Sequence, residues 1–158
     1  MSQDYKLIYE SSTNGKVFLH PTHHKEELEE NTFFAKTLAD KGKIIHLLPY
    51  THGQGLKNPD AMADGKIMDF KYPKTSKVLH NAIQSHIRFA NLQNAEIVMI
   101  YLNNPALTSR DIKRALIGSI RPDWNHHVQE VWLLFDDLTL LELSRGEIED
   151  KSFIAKLP

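Results

Sequence analysis

The dipeptide Asp64-Gly65 lies between two short segments that alternate apolar and polar residues, Ala61-Met62-Ala63 and Lys66-Ile67-Met68-Asp69-Phe70-Lys71. Asp-Gly is a strong signal for a two-residue β-hairpin turn, because both turn positions require a positive φ angle. A tight hairpin fixes the register of two antiparallel strands, so this feature predicts a β-sheet in the middle of the chain. It also returns the residues before Ala61 to the neighbourhood of Lys71.

The segments around the hairpin alternate between helical and extended patterns. Thr22 is predicted to cap a helix that ends at Gly42, and Thr75 or Ser76 to cap a second helix that runs to about Leu92. The other predicted elements are a short strand at Lys16–Leu19, strands at Ile44–Leu48 and Glu96–Leu102, a helix at Asp111–Ile120 capped by Thr108 or Ser109, and a closing hairpin of Val128–Phe135 and Leu138–Leu143. Helices between strands favour a mixed central β-sheet with flanking helices, either α/β or α+β, in a single domain spanning residues 1–158.

Composition excludes several kinds of protein. The chain of 158 residues is long enough to bury a core, and it contains no cysteine, which rules out disulfides, zinc–thiolate sites and thiol nucleophiles. No apolar run approaches the roughly 20 residues that a membrane span requires, so no membrane association is expected. The absence of cysteine suits a reducing cytoplasm.

The charge of the chain is near neutral overall but uneven along the sequence. A net charge of −1 argues against a protein that coats nucleic acid by bulk electrostatics. Between residues 66 and 88, however, basic side chains outnumber acidic ones by five to one, with Lys66, Lys71, Lys74, Lys77 and Arg88 against Asp69. Such a strip fits an enzyme that touches a few phosphates, although the solvated face of a helix explains it equally well.

Two carboxylates and a lysine are expected to converge at the open end of the hairpin. Asp60 lies at the entry to the hairpin, and Asp69 and Lys71 are two residues apart on its second strand, which places their side chains on the same face. Oxygen ligands of this kind suit Mg²⁺, which would activate water and polarise a phosphate while the lysine neutralises charge in the transition state. Glu26 and Glu29 of the preceding helix are the candidates for a further ligand, and Glu29 completes the predicted metal site.

The order of these residues resembles that of a known group of nucleases. Pro59-Asp60 followed by Asp69-Phe70-Lys71, a helix and a buried strand resembles the PD-(D/E)xK superfamily. The run from Asn58 to Leu102 is more closely similar to the CdiA C-terminal tRNase domains of contact-dependent inhibition toxins, and the resemblance covers residues 24–145. Unlike a delivered toxin, the sequence begins with its own methionine and shows no delivery module, as expected of an excised domain or a stand-alone relative.

The resemblance implies a nuclease-like fold and an endoribonuclease that cleaves tRNA as a bacterial toxin effector. It also implies a cognate immunity protein and action in the cytoplasm, after delivery from another cell. Catalysis is expected from Asp60, Asp69, Lys71 and His80, and substrate contacts from Lys74, Thr75, Lys77 and Arg88.

A metal-free mechanism is an equal alternative, because several tRNase toxins resemble the barnase–EndoU–colicin–RelE type. There Lys71 would be a cationic clamp, His80 or His86 the acid/base group, and Thr75 or Ser76 a phosphate contact. Because the ribose 2′-OH is then the nucleophile, this mechanism restricts the substrate to RNA.

Two other functions are compatible with the sequence. One is a metal-dependent DNase of the restriction-endonuclease type, and the other is a catalytically inert interaction or immunity domain.

His20, His23 and His24, near the start of the first helix, are expected at the surface.

Overall fold

The computed structural model describes residues 4–53, 57–72, 79–120 and 126–158, and for Leu79 and His80 it describes the backbone. The chain divides into two compact units, Met1–Phe70 and Lys71–Pro158.

The described residues of the first unit form five strands and one long helix. Its strands follow chain order: β1 (Lys6–Glu10), β2 (Lys16–Leu19), β3 (Ile44–Leu47), β4 (Ala61–Ala63) and β5 (Lys66–Lys71), the last of which ends one residue beyond the unit boundary. The pair β2/β3 is parallel, because helix α1 (Leu28–Asp40) crosses over between the two strands. The pairs β1/β2, β3/β4 and β4/β5 are antiparallel.

Helix α1 begins later than the sequence suggested. A 3₁₀ turn at Lys25–Glu27 precedes it, and Thr22 does not cap it, since the Thr22 hydroxyl lies 2.9 Å from Nδ1 of His20 instead. The predicted end is confirmed, because Gly42 takes a φ of 88° that favours glycine.

The apolar face of α1 packs on the strands of its own unit. Phe34, Ala35 and Leu38 are almost completely buried, as are Val17 on β2 and Ile45 and Leu47 on β3. These side chains recur at helical spacing on α1 and at alternate positions on the strands, which is why one face of each element is apolar. This packing holds α1 against β2 and β3.

In the second unit, the part of the chain that the structure describes contains three strands and three α-helices. In chain order it contains α2 (Leu79–Leu92), β6 (Ile97–Leu102), α3 (Ser109–Ser119), β7 (Glu130–Phe135), β8 (Leu140–Ser144), α4 (Arg145–Glu149) and a 3₁₀ helix at Ser152–Lys156. The pair β6/β7 is parallel across α3, and β7/β8 is antiparallel. Thr108 caps α3 in a reciprocal capping box with Asp111, which agrees with one of the two caps predicted.

The predicted mixed sheet with flanking helices is confirmed, and the arrangement is α+β. Four of the six strand pairs with described register are antiparallel, which distinguishes the fold from a parallel α/β sheet. The closing hairpin differs in detail, because Leu138 adopts a φ of 67° within the loop and β8 starts only at Leu140. The single-domain organisation remains a prediction. Among the described residues, no helix has both the length and the apolar composition needed to cross a bilayer.

Candidate active site

Asp60 and Asp69 face each other at the open end of the β4–β5 hairpin. Ala61 pairs with Met68 in the antiparallel register, so Asp60 and Asp69 are the next residues across the hairpin. The register follows from the Asp64-Gly65 turn, whose residues have φ angles of 51° and 78°. Both carboxyl groups are buried, at 8% and 3% exposure, and they share a hydrogen bond.

Burial, followed by the negative charge of Asp69, holds the pKa of Asp60 well above its ordinary value. The hydrogen bond with Asp69 acts in the same direction, whereas the backbone N–H of Phe70, which donates to Oδ2 of Asp60 at 2.7 Å, lowers the pKa. Two carboxylates in contact inside a protein cannot both ionise without a large cost. The Asp60 carboxyl group therefore holds its proton to a higher pH than an exposed aspartate does.

A series of polar side chains connects Asp60 to α1 and to the segment before it. Nδ2 of Asn31 lies 3.4 Å from Oδ1 of Asp60 and 3.0 Å from Nε2 of His23. Nδ1 of His23 lies 2.6 Å from the carbonyl oxygen of Leu48. Asn31 and His23 are 3% and 6% exposed.

Neither of these residues was predicted from the sequence to belong to the site. The expectation that His23 lies at the surface is wrong, because the Leu48 carbonyl and the Asn31 amide provide partners for both ring nitrogens in the interior. The available signal for Asn31 was its position three residues before Phe34, which places the two side chains on the same face of α1.

Asn58 supports the loop that leads into Asp60. Its side-chain oxygen accepts a hydrogen bond from the Thr51 backbone N–H at 2.8 Å, and its side-chain nitrogen donates to the Thr51 carbonyl at 3.0 Å. The backbone N–H of Leu48 also donates to the carbonyl of Asp60 at 3.0 Å. These bonds tie both ends of the loop together, so the Asn58-Pro59-Asp60 sequence fixes the position at which Asp60 enters the hairpin.

Lys71 is the last residue of β5 and is half-buried. It follows Asp69 by two residues, so strand alternation directs both side chains to the same face of β5.

Glu29 and Glu26 lie on exposed positions, and the α1 side chain that reaches Asp60 belongs to Asn31. No group of three or more acidic or histidine side chains within the described residues could hold a metal ion, so Glu29 does not join Asp60 and Asp69.

The other predicted site residues lie on or before α2. Lys74, Thr75, Ser76 and Lys77, and the side chain of His80, fall outside the described residues. Arg88 is exposed on α2 and His86 is half-buried there. The structure therefore brings together Asp60 and Asp69 from the predicted set, and it adds Asn31 and His23.

The carboxyl pair fits a divalent cation of the Mg²⁺ type. Its two oxygen-donor groups are adjacent and buried, and the pKa of Asp60 is raised by burial and by the negative charge of Asp69, which a bound cation would offset. Asp60 is held by N–H donors from Asn31 and Phe70, which is the kind of outer support that orients a metal-binding carboxylate.

Comparisons with known proteins give one family and one solved structure. Residues 57–139, more than half of the chain, match the family model for the contact-dependent growth inhibition CdiA C-terminal domain. The chain is also similar to a structure described as "CdiA-CT/CdiI toxin and immunity complex from Burkholderia pseudomallei". That match has a TM-score of 0.55 and 20% identity, and it covers 78% of this chain and 91% of the other.

At this level of identity the structural likeness shows the fold alone. The comparison with curated proteins gave no match. The family match confirms the resemblance found in the sequence from Asn58 onward, and the common fold agrees with it. The chain belongs to the family of contact-dependent growth inhibition CdiA C-terminal domains.

Proposed function

We propose that the chain is an endoribonuclease that cleaves tRNA, with Asp60, Asp69 and Lys71 as its catalytic residues. The observation that carries this proposal is the buried contact between the Asp60 and Asp69 carboxyl groups at the end of the β4–β5 hairpin. A pair of this kind is costly to fold and has no evident structural use, because an apolar pair would pack at that position without an unfavourable charge. Family membership supports a role as a toxin effector of contact-dependent growth inhibition.

The residues of the pair would hold a divalent cation such as Mg²⁺, which would supply positive charge at the scissile phosphate. Asp60 is already oriented for this purpose by the Phe70 and Asn31 N–H groups. The ammonium group of Lys71 would bind the phosphate and neutralise the charge that develops in the transition state.

The metal-dependent version is favoured over the metal-free one by a specific observation. A metal-free nuclease of the alternative type has no need of two buried carboxyl groups in contact, whereas a cation site uses both. The choice of tRNA over DNA is supported by the resemblance to CdiA C-terminal tRNases.

The biological setting follows from the same family. The similar structure from Burkholderia pseudomallei is a complex of a toxin with an immunity protein. We propose that this chain likewise meets a cognate immunity protein, and that it acts in the cytoplasm of a cell to which it has been delivered.

Incubation of the purified chain with total tRNA and with plasmid DNA, each in Mg²⁺ and in EDTA, tests the proposal. We expect tRNA to be cut in Mg²⁺ and spared in EDTA, with DNA left intact. Cleavage of tRNA that persists in EDTA would support the metal-free alternative, and cleavage of DNA alone would support a DNase. If neither substrate is cut, the inert interaction domain is the better description.

A further inference from the structure

The hydrogen-bonded series from Leu48 to Asp60 has a defined direction. The side-chain nitrogen Nδ2 of Asn31 carries two hydrogens. It lies within hydrogen-bond distance of two atoms, Nε2 of His23 and Oδ1 of Asp60. Each N–H therefore has its own acceptor. This arrangement requires that the imidazole nitrogen facing Asn31 carries a lone pair rather than a proton.

The backbone of Leu48 determines which ring nitrogen of His23 carries the proton. A carbonyl oxygen only accepts hydrogen bonds, so Nδ1, 2.6 Å from the Leu48 oxygen, is the protonated nitrogen. In a neutral ring Nε2 is then the acceptor, as the contact with Asn31 requires. His23 is thus held neutral in one tautomer by groups on either side of it.

We propose that His23 is a positioning residue for the carboxyl group of Asp60, acting through the amide of Asn31. The neutral ring fixes the orientation of the Asn31 amide, so that the second N–H donates to Oδ1 of Asp60 while the Phe70 N–H holds Oδ2. This inference rests on the proposed function of Asp60 in the nuclease site.

Protonation of His23 disrupts this orientation. A proton on Nε2 points at the Asn31 NH₂ group, and the conflict is relieved when the amide turns over, which places its oxygen against the Asp60 carboxylate. Burial lowers the pKa of His23 and so favours the neutral ring, and the neighbouring His24 and His20 act in the same direction. The Leu48 carbonyl and the charge of Glu27 act in the opposite direction.

Substitutions at His23 test the proposal in the full-length chain. His23→Ala removes the acceptor for Asn31, and we expect its kcat on tRNA to fall by about 10- to 100-fold with little change in KM, as for other residues that support a metal-binding group. His23→Gln keeps an acceptor oxygen and an N–H donor on one side chain, and it should recover most of the activity. His24→Ala is the matched control, because the ring of His24 packs on Tyr50 and takes no part in the series.

The pH profile separates positioning from a merely structural role. In the wild type kcat should fall at acid pH as both His23 and Asp60 become protonated, and in His23→Gln the part of this decrease that His23 causes should disappear. Equal activity of His23→Ala and wild type at equal folded fraction would overturn the proposal. So would a loss of activity in His23→Gln as large as that in His23→Ala when thermal unfolding shows both variants to be folded.

A measurement without catalysis keeps this proposal separate from the proposed function. NMR of protein labelled with ¹⁵N-histidine should show His23 as the neutral Nδ1–H tautomer in wild type. It should also show a changed Nε2 resonance in Asn31→Ala. If the wild type cuts no nucleic acid, the proposed function fails while these resonances still decide the hydrogen-bonded series. An Nε2–H tautomer at His23 would overturn the series whatever the activity.

Discussion

The ring of Phe34 on α1 stacks on the ring of Phe70 on β5, with centroids 4.9 Å apart and planes inclined by 10°. Phe70 directly follows Asp69, and its backbone N–H donates to Asp60. Phe34 lies three residues after Asn31 on the same helix. The stacked pair therefore holds together the part of α1 and the part of β5 that carry the candidate site.

Phe34→Ala should reduce the free energy of unfolding by about 3–5 kcal/mol, because it leaves a cavity in place of a fully buried ring. Phe34→Leu should cost less, since the apolar volume is partly kept. Urea unfolding measures both values. Phe33→Ala is the control, because Phe33 is only half-buried, and it should cost clearly less than Phe34→Ala. Equal losses at the two positions would show that the stacking does not support the first unit.

The raised pKa of Asp60 predicts a dependence of stability on pH. The folded chain keeps a proton that the unfolded chain releases at about pH 4, so this contribution to stability is complete below that pH and is lost as the pH rises through the folded pKa. Asp60→Asn cannot titrate and should lack this decrease. The free energy of unfolding of the wild type should therefore decrease with rising pH relative to that of Asp60→Asn.

Urea unfolding of both proteins across the acid-to-neutral range checks this prediction. His23, whose pKa is lowered in the folded state, contributes the opposite slope, a gain in stability as the pH rises to its unfolded pKa of about 6.5. Because His23 is present in both proteins, the difference between them reports on Asp60. Parallel curves for wild type and Asp60→Asn would contradict a raised pKa.

The sequence was sufficient to predict the hairpin and the convergence of its two aspartates, because the Asp64-Gly65 turn determines the register without help from distant residues. The central helices and strands were predictable from the spacing of their apolar residues, because this spacing is also a local property of the sequence. Strand β1 was not predicted, since its residues Lys6–Glu10 are exposed or half-buried and show no alternation. Its pairing with β2 is a tertiary contact that local pattern does not reveal.

The supporting residues of the site were hidden for a different reason. Nothing in the sequence near His23 and Asn31 indicates that the Leu48 carbonyl and the Asp60 carboxyl group will be their partners, since these are 25 and 29 residues away. The sequence alone does not distinguish a buried polar residue from an exposed one, because burial depends on hydrogen-bond partners that lie far away along the chain. Glu29 was the more obvious choice for a ligand because it is charged, whereas the helix places Asn31 next to Asp60.

Mg²⁺ should raise the thermal unfolding temperature of the wild type at neutral pH, since an ion held by Asp60 and Asp69 binds the folded state alone. At ten times its dissociation constant the ion would add about 1.4 kcal/mol to the free energy of unfolding. Asp69→Asn should abolish the shift, and Glu29→Gln should retain it, because Glu29 is exposed on α1. A shift in Asp69→Asn equal to that in wild type would remove the pair as the cation site.

Lys71→Ala should lower kcat on tRNA by about 100-fold or more, the size of effect expected when a group that stabilises transition-state charge is removed. The fold should persist, because Lys71 is half-buried at the last position of β5. Lys66→Ala is the matched control at the exposed first position of the same strand, and its activity should stay within about threefold of wild type, as for a surface charge. Single-turnover cleavage of tRNA, with circular dichroism to verify folding, compares the two variants. Equal loss in both would mean that β5 provides a general basic surface, and equal retention would exclude Lys71 from catalysis.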